Sequence, residues 1–167
     1  MEKPPMNDDF FIRSAVPNDV DAILGMVREL ADYEKLLHEC VATEEQFQEA
    51  LFGGKPVAEA LLGVMDGSPI AFALFFHNFS TFVGKPGLYL EDLYVKPPFR
   101  GQGLGKAFLR HLAKIAVERG CGRFEWAVLD WNEPAIRAYD AIGADSLDDW
   151  TKRRLEGADL QKLAKEK

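Results

Sequence analysis

The chain has 167 residues, of which 47% are hydrophobic, and this suits one soluble globular domain with a full core. A net charge of −7 argues against a nucleic-acid surface and favours cationic partners. Two cysteines are too few for a disulfide framework. We do not expect residues 1–9 to be a signal peptide. The longest apolar run, Ile70–Phe76, is too short to span a membrane. We therefore expect a cytoplasmic protein.

Hydrophobic periodicity and turn residues predict elements in the order β-α-α-β-β-β-α-β-α-β, with no internal repeat or linker. The first half is predicted to contain a strand at Phe10–Arg13, a helix from Pro17 to about Lys35, and a helix between the capping box Thr43-Glu-Glu-Gln46 and Gly53-Gly54. Strands Val57–Met65 and Ile70–Phe79, joined by an Asp66-Gly67 hairpin, precede a central strand Leu88–Val95 and a helix from Leu104 to Gly120. The last predicted elements are a strand Phe124–Leu129, a short helix from Asn132 to Gly143, a strand Trp150–Leu155 and helical turns at Ala158–Lys165.

A glycine-rich loop joins the central strand to the long helix that follows. Its bare backbone leads into a helix N-terminus, which presents unpaired N–H groups and suits a phosphate. A P-loop is excluded, because Gly101 and Gly105 are too close and Ala107 replaces the hydroxyl residue. A dinucleotide fingerprint is excluded too, because Lys106 stands where its third glycine belongs. A glycine-rich helix entry without a ligand stays open at this point.

The spacing Arg100-x-x-Gly103-x-Gly105 resembles the acetyl-CoA pyrophosphate loop of the GNAT superfamily of N-acetyltransferases. The predicted order of elements is similar to theirs over residues 10–167, which we take as one N-acetyltransferase domain. The resemblance implies a mixed α/β fold, with a central sheet of six or seven strands flanked by about four helices. It also implies that the central strand and the next one splay apart, so that the pantetheine arm enters between them.

Four runs of sequence resemble one branch more closely, the diamine acetyltransferases, which include spermidine/spermine and thialysine N-acetyltransferases. They are Arg28–Leu36, Tyr89–Asp92, Phe99–Gly105 and Asp130–Tyr139. The resemblance implies acetyl-CoA as co-substrate and a small amine as acceptor. It implies acetyl-CoA contacts from Leu93, Tyr94, Val95, Arg100, Gly101, Gln102, Gly103, Leu104, Gly105, Lys106, Asn132, Pro134 and Tyr139.

Acetyl transfer needs a neutral amine, and at neutral pH only about one alkyl amine in a thousand has lost its proton. The resemblance implies Glu91 as the carboxylate that takes this proton, and Tyr139 as the acid that protonates the leaving thiolate. Adjacent strand residues such as Glu91 and Asp92 face opposite sides unless a bulge intervenes, and the family carries one here. From spacing alone, Glu91-Asp92 could end an exposed edge, Tyr139 could be a core residue, and Asn132 could be only a helix cap.

A cationic substrate would need carboxylates and an aromatic ring, and Glu34, Glu91, Asp92 and Trp150 are the candidates. The histidines show no metal-ligand spacing, so we expect no metal. We also expect no nucleic-acid or membrane partner, and, from the branch, a homodimer with Leu155, Leu160 and Leu163 contributing. An acetyltransferase for proteins or peptides and a non-catalytic CoA-binding regulatory domain are the alternatives.

Overall fold

A computed structural model describes residues 9–166, and a mixed five-stranded sheet in the order β1-β2-β3-β4-β5 organises the first unit, up to residue 127. Strands β1 to β4 pair antiparallel, whereas β5 runs parallel to β4. Their bounds are β1 Phe11–Ser14, β2 Glu59–Met65, β3 Ser68–Ser80, β4 Lys85–Val95 and β5 Arg123–Trp126.

The hairpin between β2 and β3 turns at Asp66 and Gly67, whose φ angles are 49° and 74°. Positive φ at both central residues defines the type I′ turn, which matches the twist of the two strands. The predicted hairpin is confirmed, and its tight turn fixes which residues of β2 and β3 share a face.

Three α-helices belong to this unit: α1 Val20–Tyr33, α2 Glu44–Phe52 and α3 Leu104–Glu118. The predicted capping box at α2 is confirmed, because Gln46 N–H donates to the Thr43 hydroxyl (3.3 Å) and Thr43 N–H donates to the Gln46 side chain (3.0 Å). Before α1, the buried Asp19 carboxylate accepts hydrogen bonds from Nη1 and Nη2 of Arg13, at 2.6 and 2.9 Å. This charge-assisted pair ties the start of α1 to β1.

The main core lies where α1 and α2 pack on one face of the sheet. Alternate residues of the strands point into it, among them Leu62 of β2, Phe72 and Leu74 of β3 and Tyr94 of β4. They pack against Ile23 and Met26 of α1. We refer to this side of the sheet as the α1 face, because α1 packs on it.

The second unit, residues 128–166, contains α4 (Glu133–Asp140) and α5 (Gly157–Lys165). The strand predicted at Trp150–Leu155 is wrong, since these residues form no regular element. A strand needs a partner for its backbone groups, and no strand lies within the described residues of this unit. Within residues 9–166 there are therefore five strands rather than six or seven, and five α-helices rather than about four.

Candidate active site

A β-bulge interrupts the pairing of β3 with β4. Leu74 lies opposite Asp92, yet the next residue, Phe75, lies opposite Leu90, so Glu91 is an extra residue without a partner on β3. A bulge changes the direction in which the following side chains point. The bulge that the family resemblance implied at this position is thus present.

The bulge brings two carboxylates to the same face of the sheet. Residues directly opposite each other in an antiparallel pair share a face, so Asp92 stands on the α1 face beside Leu74. Tyr89 stands there as well, because it pairs with Phe76, two residues from Leu74. Glu91, two residues from Tyr89, returns to the same face by alternation.

A third carboxylate, that of Glu34, comes to this face from the residue that ends α1. The helix is closed by a hydrogen bond from Leu36 N–H to the Ala31 carbonyl (2.7 Å), with Lys35 in the left-handed region at φ 62°. A residue with a side chain adopts the left-handed region at a cost in free energy. Lys35 therefore has a backbone conformation that glycine usually occupies at the end of a helix. Burial raises the pKa of Glu34 above its ordinary value.

Asp92 lies in a strongly perturbed environment. Burial raises its pKa from 3.8 to about 6, and the charges of Glu91 and Glu34 add to the rise. A carboxyl group with a pKa near the working pH can both accept and release a proton. Perturbed carboxylates of this kind are concentrated in functional sites.

Tyr94 and Val95, predicted to contact acetyl-CoA, have other partners for their polar groups. The Tyr94 hydroxyl donates to Glu29 Oε2 (2.9 Å), whose other oxygen lies 3.7 Å from Lys96 Nζ. The Tyr94 ring is part of the main core, so this residue has only its backbone to offer a ligand. Leu93, opposite Ala73, stands on the other face of the sheet.

Arg100 lies at the junction between the glycine-rich loop and the end of α1. Its Nε donates to the Val95 carbonyl (2.8 Å), and its guanidinium lies 5.0 Å from the ring centre of Tyr33 and 5.3 Å from that of Tyr94. Cation–π contacts with both rings hold the side chain in place. Arg100, the predicted phosphate ligand, therefore also links the glycine-rich loop to Tyr33, the residue before Glu34.

The glycine-rich loop has the geometry of an anion-binding helix N-terminus. Gly103, at the N-cap of α3 with φ 82°, has no side chain to cap the first N–H groups, and the loop is anchored by Leu104, which packs on Met65 and Ile70. Gly105 has an ordinary backbone, and a Cβ there would touch no other atom. Neither the backbone conformation nor the packing explains why this residue is glycine. A phosphate that approaches the backbone would require a residue without a side chain here, so the loop fits the predicted pyrophosphate site.

Pairing between β4 and β5 ends at Leu90 and Trp126, while β4 continues to Val95. Within residues 9–166, no strand pairs with the β5 side of Glu91–Val95. Alternate backbone groups of that segment point away from β3 and can meet a ligand. β5 itself ends at Trp126, before the Leu129 end predicted for it, and the splaying of the two strands stays a prediction.

The remaining predicted site residues lie in the second unit. Asn132 occupies the N-cap position of α4, but its side chain makes no capping hydrogen bond, and Pro134 follows in the first turn. Tyr139, in the last turn of α4, is half-buried, and Trp150 is 77% exposed. Asn132 is therefore the N-cap residue of α4, as predicted, and its contact with acetyl-CoA stays a prediction.

Three side chains on the α1 face were missed by the sequence reasoning. The rings of Phe76 and Tyr89 lie 5.2 Å apart, and Glu125 of β5 pairs with Tyr89, so its side chain stands on the same face. Together with Glu34, Glu91 and Asp92 they give this face aromatic and acidic character. Only the strand register reveals them, because nothing in the local sequence marks them.

Within residues 9–166, no group of histidine, cysteine and carboxylate side chains could hold a metal ion. None of the helices described there is both long enough and apolar enough to cross a membrane.

Comparison with known proteins gives one consistent result. The model of the Acetyltransferase (GNAT) family matches residues 21–144. The chain is 37% identical to the thialysine N-epsilon-acetyltransferase of Sus scrofa, over 92% of this chain and 96% of that protein. It is 31% identical to the L-ornithine N5-acetyltransferase of Arabidopsis thaliana, over 92% of this chain and 87% of that protein.

Among solved structures, an integron cassette protein from the mobile metagenome of V. cholerae superposes with a TM-score of 0.80 at 26% identity, covering 96% of this chain and all of that one. The GNAT fold and the family resemblance predicted from the sequence are confirmed. The chain belongs to the GNAT family of acetyltransferases and is an acyltransferase.

Proposed function

We propose that this protein transfers an acetyl group from acetyl-CoA to a primary amine of a small cationic substrate, such as thialysine, a lysine-like amino acid, a diamine or a polyamine. The carboxylate cluster of Glu34, Glu91 and Asp92 on the α1 face is the observation that carries the proposal. A negative cluster that is half-buried at Glu34 and Asp92 and lies beside aromatic rings suits an ammonium group on a hydrocarbon chain. The relatives named for thialysine and ornithine acetylation support an amino-acid-like amine.

Acetyl-CoA supplies an activated acetyl thioester when it is bound. The backbone of Gln102–Lys106 would hold its pyrophosphate at the N-terminus of α3, with Arg100 and Gly101 beside it. The open backbone of Leu93–Val95 would donate to the reacting carbonyl oxygen, the role of an oxyanion hole. Asn132 and Pro134 would contact the pantetheine, as the resemblance implies.

The amine must lose a proton before it attacks, and the leaving sulfur must gain one. A carboxylate of the cluster accepts the first proton, and the resemblance points to Glu91 for this role. The Tyr139 hydroxyl donates the second. Transfer is direct, since neither Cys40 nor Cys121 stands in a nucleophile motif. Trp150 would contribute a ring to the substrate.

We also propose that the active form is a homodimer. Leu155, Leu160 and Leu163 are each about half exposed, and α5 carries the last two of them. A monomer reported by light scattering at micromolar concentration would contradict this proposal.

The direct test of function is a thiol-release assay with acetyl-CoA against a panel of amines. We expect thialysine, ornithine and short diamines to be acetylated faster than a neutral peptide N-terminus. The panel includes a lysine-containing peptide, whose preference over every small amine would instead favour a protein acetyltransferase.

A further inference from the structure

Two neighbouring carboxylates could take the proton from the amine, and they differ in their surroundings. Glu91 is the bulged residue and is exposed to solvent. Asp92 returns to the ladder opposite Leu74, which packs on the apolar core, and Asp92 is half-buried. We infer that Asp92, rather than Glu91, is the catalytic residue that accepts the proton of the substrate ammonium, with Glu91 and Glu34 supplying negative charge around it. This inference rests on the proposed function and assigns one step of it.

The position of Asp92 suits proton transfer. It is the second residue beyond the last β4–β5 pair, Leu90 with Trp126, and so lies on the part of β4 that extends past the end of β5. Water screens charges at this partly buried position less than at exposed Glu91. A proton acceptor works best when its pKa is near the pH at which it operates, and that of Asp92 is about 6.

Other charged and titratable groups belong to the elements that form the α1 face or to the segments next to it. Glu29 belongs to α1, Glu34 ends it, and Glu125 belongs to β5. Tyr89 and Tyr94 share this face on β4 itself, Tyr33 is the last residue of α1, and Lys96 and Arg100 follow the strand. Of these groups, Glu91 and Glu34 raise the pKa of Asp92, whereas Glu29 is engaged with Tyr94 and Lys96.

The proton balance of the step is simple. The substrate ammonium gives one proton to the Asp92 carboxylate and keeps the electron pair on nitrogen. That pair forms the new N–C bond while the C–S bond of the thioester breaks. The second nitrogen proton leaves through water and restores the proton that the Tyr139 hydroxyl gives to sulfur, and Asp92 then releases its own proton to water. Ammonium and thioester therefore give amide, thiol and one proton.

The test is the pH dependence of kcat/KM for the best amine of the panel, measured for the wild type and for Asp92→Asn, Glu91→Gln, Glu34→Gln and Asp92→Glu. We expect the wild type to lose activity below about pH 6. Asp92→Asn should lower kcat by roughly 10²–10⁴-fold and remove this acidic limb. Asp92→Glu should be faster than Asp92→Asn and should again lose activity at acidic pH.

Glu91→Gln and Glu34→Gln provide the decisive contrast, because each removes a negative charge beside Asp92. Both variants should still lose kcat/KM at acidic pH, but at a lower pH than the wild type. If Glu91→Gln abolishes the limb while Asp92→Asn keeps it, the proton acceptor is Glu91 and the inference is wrong. Asp92→Asn retaining more than half of kcat would also overturn it. A folded wild type that acetylates no amine would overturn both the inference and the proposed function.

Thermal unfolding of Asp92→Asn provides the control for folding. An ionised carboxylate buried among like charges is costly, so the variant should melt at or above the wild-type temperature at pH 8. A loss of activity accompanied by a lower melting temperature would indicate a structural role and contradict the assignment.

Discussion

Asp92 on β4 and Glu34 at the end of α1 lie close enough for the negative charge of Glu34 to raise the pKa of Asp92. The two residues are far apart in sequence, and the bulge at Glu91 directs Asp92 toward the helix. Like charges brought together at a partly buried position lower stability unless a ligand compensates them. This arrangement therefore reduces the stability of the free protein in favour of binding a cation.

The first prediction concerns stability and pH. A raised pKa means that the folded state binds the proton of Asp92 more tightly than the unfolded state does. The free energy of unfolding should therefore decrease as the pH rises from about 4 to about 6 and Asp92 becomes charged in the folded protein. The rise from 3.8 to about 6 corresponds to at most about 3 kcal/mol. Asp92→Asn should therefore stabilise the protein at pH 8 and have little effect at pH 4. Urea unfolding at both pH values measures the difference, and equal effects at the two would contradict the prediction.

A second prediction uses Gly105, where a methyl group meets no protein atom. Gly105→Ala should increase stability by up to about 1 kcal/mol, because alanine favours a helix over glycine. It should also weaken acetyl-CoA binding by roughly tenfold or more, because the methyl group lies where the phosphate approaches. Gly103 is less suitable, since its φ of 82° strains any side chain.

Gly25 provides the matched control for Gly105. It lies within α1, and a Cβ there also touches nothing. Gly25→Ala should stabilise the protein similarly without changing the acetyl-CoA dissociation constant. Calorimetry on both variants gives the comparison, and unchanged affinity in Gly105→Ala would overturn the pyrophosphate assignment.

The third prediction separates catalysis from binding at Tyr139. Tyr139→Phe removes only the hydroxyl that would protonate the leaving sulfur. Turnover should fall by roughly 10²–10⁴-fold, while the acetyl-CoA dissociation constant and the melting temperature change little. If the loss appears in affinity instead, Tyr139 positions acetyl-CoA. A variant that keeps more than half of kcat has no acid at this position.

A fourth prediction concerns substrate length and Glu125. This carboxylate stands beside Tyr89, two residues along the strand from Glu91, which is about 7 Å. A second ammonium on a diamine or amino-acid substrate would reach it. Glu125→Gln should raise KM for the dicationic amine by several-fold, with kcat and the KM of a monoamine of equal length nearly unchanged. Equal changes for the two amines would remove Glu125 from recognition.

The sequence predicted those parts of the molecule that depend on local chemistry. The Thr43 capping box, the Asp66-Gly67 turn and the glycine-rich entry to α3 are all present, because each follows from a few adjacent residues. The strand at Trp150–Leu155 was wrong because strand formation depends on a partner elsewhere in the chain. The burial of Asp92 and the position of Glu125 depend on strand register, which the local pattern does not contain.

The most direct test of the central claim is mass spectrometry of both the amine and the protein after incubation with acetyl-CoA. We predict one acetyl group on the side-chain amine of thialysine, lysine or ornithine, or on one end of a diamine. We predict no stable acetyl group on Cys40 or Cys121. Stoichiometric acetylation of the protein, or the absence of any acetylated small amine across the panel, would contradict direct transfer to a small cationic substrate.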